Sequence, residues 1–112
     1  MKMEELKNEV REIAKKELDR ANAKFPAFNS LPEGWGILQE EVLEAEFERK
    51  NFRTELNNLE YTLISEYMTN SNVEKRLENL EKLATEYIAE QIQVLAMIYK
   101  NLDYVKGGSN DR

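Results

Sequence analysis

The sequence contains no cysteine and no histidine. Without cysteine there is no disulfide framework, no thiolate zinc site and no cysteine nucleophile. Without histidine there is no Ser-His-Asp relay, no imidazole base, and none of the usual nitrogen ligands for zinc, iron or copper. Proline and glycine are scarce as well, two and four residues. Both prolines and two of the glycines fall in Phe25-Pro-Ala-Phe-Asn-Ser-Leu-Pro-Glu-Gly-Trp-Gly36, and Gly107 and Gly108 open a polar tail. No apolar run approaches the roughly eighteen residues of a membrane span. The N-terminus is charged from Lys2, so no signal peptide is read there, and a cytoplasmic protein without a membrane partner is expected.

What is present is acid. Sixteen basic residues face twenty-two acidic ones, a net charge of −6 in a chain of 112 residues. That balance argues against a nucleic acid polymer as partner, since phosphate contacts need cations. With nineteen Glu and three Asp as the remaining chemistry, any bound metal should be a hard, oxygen-loving ion such as Mg²⁺ or Mn²⁺.

Alternating β-branched runs closed by turn dipeptides are absent, so the chain reads as all-α. Met3, Leu6, Val10 and Ile13 recur at spacings of three and four and predict a helix over residues 2–23. Ser30-Leu-Pro-Glu33 is a capping box with proline in the first turn and marks the start of a second helix. From Ile37 to Lys106 the chain has neither breaker. One helix of that length would run about 105 Å, so it must break. Ser71-Asn-Val-Glu74 offers a second capping box, which predicts helices over 32–69 and 72–105. In the former, Leu38, Val42, Ala45, Phe52, Leu56, Leu59 and Leu63 keep a 4-3 rhythm suited to a bundle seam. The expected architecture is an antiparallel bundle of three to four long helices, one domain over residues 1–106 with a flexible polar tail at 107–112. So short a chain with such long helices buries little alone, and a homodimer or a dimer of dimers should complete it.

Two stretches carry possible chemistry. In Gln39-Glu40-Glu41-Val42-Leu43-Glu44, Glu41 and Glu44 lie one turn apart, about 60° and 120° from the apolar stripe. At a glutamate frequency of about 0.17, a Glu-Glu-x-x-Glu pattern arises roughly half a time by composition alone, so by itself the motif reads as a solvated helix face before it reads as a metal site. The second stretch, Ile88 to Tyr99, is apolar on most of its circumference and yet contains Glu90, with Glu86 one turn earlier on the same face. A buried carboxylate is normally protonated, paired or on a metal. A salt bridge from Glu90 to Arg49 therefore stands beside the metal reading. Of the loop aromatics Phe25, Phe28 and Trp35, Phe25 is assigned to the core, and Trp35 serves either as a plug or as a stacking wall for a planar base.

The run from Asn22 to Glu46, followed by Glu86-Tyr-Ile-Ala-Glu-Gln-Ile-Gln-Val-Leu-Ala-Met-Ile-Tyr-Lys100, resembles the MazG-like nucleoside triphosphate pyrophosphohydrolases. The likeness, closest to their short phage and prophage members, covers residues 20–104. The family pattern is Glu-Glu-x-x-Glu on one helix and Glu-x-x-Asp on a later one. Glu40, Glu41 and Glu44 match the first. Glu90 takes the aspartate position of the second, while Tyr87 stands where an acid is expected and Glu86 lies four residues before Glu90. Pro32 stands where phage-type members carry histidine. The resemblance implies hydrolysis of a nucleoside triphosphate to the monophosphate and pyrophosphate, with Mg²⁺ (or Mn²⁺) held by Glu41, Glu44 and Glu90. It implies Glu40 or Glu86 as the group that orients or deprotonates water, and Trp35 and Lys100 on the substrate side, with Lys100 steadying a phosphate oxygen. The alternative is a helical nucleotide-binding or protein-interaction module without catalysis.

Overall fold

The computed structural model describes residues 2–25 and 27–108; the end of the expected tail, 109–112, lies outside the described residues. Three helices account for nearly all of them, α1 Met3–Lys24, α2 Leu31–Ile64 and α3 Asn70–Gly108, with no strand among the described residues. No helix among them is long and apolar enough to cross a membrane. The fold class is all-α, as the punctuation of the sequence predicts.

Helix ends follow local chemistry. α2 begins where expected, with the Glu33 amide donating to Ser30 Oγ at 3.2 Å. It stops at Ile64, five residues short of the predicted end, because Ser65 closes the last turn. The Ser65 hydroxyl donates to the Thr62 carbonyl and accepts from the Tyr67 amide. α3 then starts two residues earlier than predicted. Its cap is Thr69, whose Oγ1 accepts from the Asn72 amide at 3.1 Å, while the Asn72 side chain donates back to the Tyr67 carbonyl. Gly107, expected in a flexible tail, belongs to α3.

The chain divides into two compact units, Met1–Leu43 with Gln91–Arg112, and Glu44–Glu90. In the first, Leu18, Phe28, Ala96 and Met97 form the core, with Ala21, Ile37, Leu38, Tyr99 and Tyr104 packed on it. Gln93 donates to Glu17 at 2.7 Å, and Lys100 donates to the Phe25 carbonyl. These pairings set α1 and α3 parallel. Phe28, not Phe25, is the aromatic that enters this core: Phe25 stays 72% exposed because α1 ends at Lys24 and the chain turns before Phe28 reaches inward.

In the second unit α2 and α3 form an antiparallel pair, with Arg76 donating to Glu55 at 3.1 Å near the turn. Ala45, Thr62 and Leu80 are its buried residues. Along the predicted seam Ala45 is buried and Phe52, Leu56 and Leu59 are half-buried, but Val42 and Leu63 are exposed.

Candidate functional site

Helical spacing alone puts Glu41 and Glu44 one turn apart on α2. Glu44 and Glu90 face each other across the α2–α3 pair of the second unit. Carboxylate oxygens of Glu44 and Glu90 lie within 4.8 Å of each other. Glu41 and Glu90 are half-buried and Glu44 is exposed. Two carboxylates this close repel one another unless a proton or a cation stands between them.

Glu90 shows the strain of that arrangement. Its Oε2 is shielded from solvent and has no hydrogen-bond partner among the described residues. Burial pushes its carboxyl above the ordinary value, and the charges of Glu44, Glu48 and Glu86 push it the same way. The nearness of the Glu44 carboxyl adds to the shift, because a proton on one of the two groups lets them share it instead of repelling. The expected alternative, a salt bridge from Glu90 to Arg49, is not formed. Arg49 is engaged within its own helix, where its guanidinium donates to both carboxylate oxygens of Glu46, one turn before it. An all-oxygen donor set with an orphaned buried oxygen fits a hard divalent cation, for which Glu44 and Glu90 are available ligands within the second unit.

The other anticipated residues are distributed unevenly. Glu40 and Glu86 are exposed, and Glu86 is close enough for its charge to act on Glu90. Glu48 also acts on Glu90, and its signal in the sequence is its place four residues after Glu44 on the same helix face. Trp35 is 58% exposed.

The first unit contains a cleft of about 410 Å³, walled by Ala21 and Phe25 from α1 and its end, by Glu33, Ile37 and Glu41 from α2, and by Gln93, Met97 and Lys100 from α3. Trp35 is not in its wall. Lys100 is, and it is buried, only 6% exposed, with its ammonium 4.8 Å from the centre of the Phe28 ring. Burial lowers its basicity, and the carboxylate of Glu33 partly offsets that effect. The cleft therefore carries an acceptor and a donor at one end, and Glu41 two turns along α2 from Glu33.

Comparison with protein-family models, with curated proteins and with solved structures gives no match. The chemistry of the site accordingly rests on its own residues. Carboxylates can hold a cation against phosphate oxygens, further carboxylates, among them Glu40, Glu48 and Glu86, stand within a turn of Glu41, Glu44 or Glu90 on the same helices, and the cleft has the volume for a small molecule.

Proposed function

We propose that the protein is a Mg²⁺-dependent nucleoside triphosphate pyrophosphohydrolase, active on NTPs or dNTPs and accepting Mn²⁺ in place of Mg²⁺. The observation that carries this reading is the approach of the Glu44 and Glu90 carboxylates to within 4.8 Å, with the buried Oε2 of Glu90 unpartnered among the described residues. Two ionised carboxylates at that distance repel, whereas a divalent ion between them turns the same geometry into a favourable one. The cleft that Glu41 also lines has the volume of a small-ligand site.

Glu44 and Glu90, with Glu41 one turn before Glu44 on α2, would hold Mg²⁺, which would supply positive charge that offsets the charge of the triphosphate in an acidic protein. Water attacks the α-phosphorus as the bond to the pyrophosphate oxygen breaks, giving monophosphate and pyrophosphate. Glu40 or Glu86 takes the proton of that water, since the chain has no histidine to do so. A cytoplasmic location agrees with this substrate. The long helices leave Phe47, Leu77 and Ile88 exposed, which supports completion of the bundle by a homodimer or a dimer of dimers.

Purified protein incubated with a panel of NTPs and dNTPs should release monophosphate and pyrophosphate only when Mg²⁺ or Mn²⁺ is present. Glu44→Gln and Glu90→Gln should each remove that turnover, and a panel without any turnover would overturn the reading.

A further inference from the structure

The cleft of the first unit is chemically two-ended. Glu33, Ile37 and Glu41 follow one another at one-turn intervals on α2, so Glu33 stands about 12 Å from Glu41 along the helix. Asn101 donates to the Gly34 carbonyl at 3.2 Å, which fixes Lys100 level with Glu33 rather than with Glu41. A nucleotide whose phosphates lie at Glu41 therefore presents its base to Glu33 and Lys100.

These two side chains have opposite and complete hydrogen-bonding character. A carboxylate only accepts and an ammonium only donates. Glu33 does not close its capping box: its amide meets Ser30 Oγ, but among the described residues its carboxylate accepts no hydrogen bond and faces the cleft. Lys100 spends one donor on the Phe25 carbonyl and keeps two. Phe25, exposed and in the cleft wall, offers a ring face on which a base stacks.

We propose that this cleft selects a nucleobase bearing an exocyclic amino group beside a ring or carbonyl acceptor, with Glu33 accepting from the amino group and Lys100 donating to the acceptor. The assignment rests on the pyrophosphohydrolase reading for the orientation of the ligand. Adenine, cytosine and guanine all carry such a pair. Thymine and uracil do not. Their one ring N–H is flanked on both sides by carbonyl oxygens, and a carboxylate that meets it sets lone pairs against lone pairs.

The test is calorimetric titration of the full chain with dAMP, dCMP, dGMP, dTMP and dUMP in the presence of Mg²⁺, run beside turnover of the matching triphosphates. The three amino-bearing monophosphates should bind at least about tenfold more tightly than dTMP and dUMP. Glu33→Gln should collapse that ratio and raise the affinity for dTMP, because a carboxamide can donate to the thymine carbonyl. Lys100→Met should weaken the amino-bearing ligands. If circular dichroism finds Lys100→Met unfolded, the Glu33→Gln ratio decides alone. Equal binding of all five ligands, or binding of none, overturns the proposal. Ranked binding without turnover overturns the pyrophosphohydrolase reading and keeps the base selection; turnover without ranking does the reverse.

Discussion

Glu90 is an acid whose folded environment works against its charge. Its carboxyl titrates above the ordinary 4.5, chiefly through burial and then through Glu44, Glu48 and Glu86. Between the unfolded and folded values the native state holds more protons than the unfolded state, so stability falls as pH rises through that window. Without divalent ions, the wild-type protein should therefore lose melting temperature from about pH 4.5 upward, and Glu90→Gln should flatten that slope. At neutral pH the variant should melt higher by roughly 2–5 °C, readable by circular dichroism. Mg²⁺ should reverse the order. At a concentration one hundred times its dissociation constant, a ligand that binds only the folded state stabilises by about 2.7 kcal/mol. The wild type gains this and Glu90→Gln does not, so their melting curves should cross on titration with Mg²⁺ and return on chelation.

At the scale of the helix, two glycines in the first turns of α2 have opposite consequences. A Cβ on Gly34 would overlap Asn101 Oδ1 and lie 2.8 Å from Phe28 Cδ2, whereas one on Gly36 would meet nothing within 4 Å. Alanine improves helix propensity at either position by about 1 kcal/mol. At Gly34 the overlap displaces a buried ring and a side chain already donating to the Gly34 and Met97 carbonyls, and overpacking of that kind costs about 1–3 kcal/mol. Chemical denaturation should find Gly34→Ala destabilised and Gly36→Ala stabilised by up to about 1 kcal/mol. Equal effects of the two substitutions would contradict the close approach of α3. The same contrast marks what is legible in the sequence. The helices are legible because breakers and apolar spacing are local, and the Ser30 cap because a capping box is a four-residue pattern. The start of α3 is less so, since Thr69 and Ser71 both offer hydroxyls and the Asn72–Tyr67 bond favours the first. Glu41 and Glu44 are legible as one turn of helix, and Glu90 as an acid in an apolar run. Arg49 is not, because its choice of Glu46 over a remote carboxylate depends on which faces meet. The burial of Lys100 and Phe28 is set by where the end of α1 lands, which no spacing along α3 records.

For the whole chain, burial is thin. Among the described residues no large side chain is fully buried, while Met3, Leu6, Leu43, Phe47, Leu77 and Ile88 are all more than 40% exposed. Apolar surface on this scale is what the proposed homo-oligomer would cover with further copies of the same chain. Each copy carries a net charge of −6, so their approach is opposed by a repulsion that salt screens. Association should therefore tighten as ionic strength rises, the reverse of an assembly held by ion pairs. Sedimentation equilibrium should give twice or four times 13.2 kDa, and the melting temperature should fall on dilution because folding and assembly are linked. Phe47→Lys and Ile88→Lys place charge on side chains that a single copy leaves 63% and 60% exposed. They should lower the mass toward 13.2 kDa while leaving helicity at high protein concentration largely intact. A 13.2 kDa species at every concentration and salt, with a melting temperature unmoved by dilution, would remove oligomerisation as the means by which these helices cover their apolar faces.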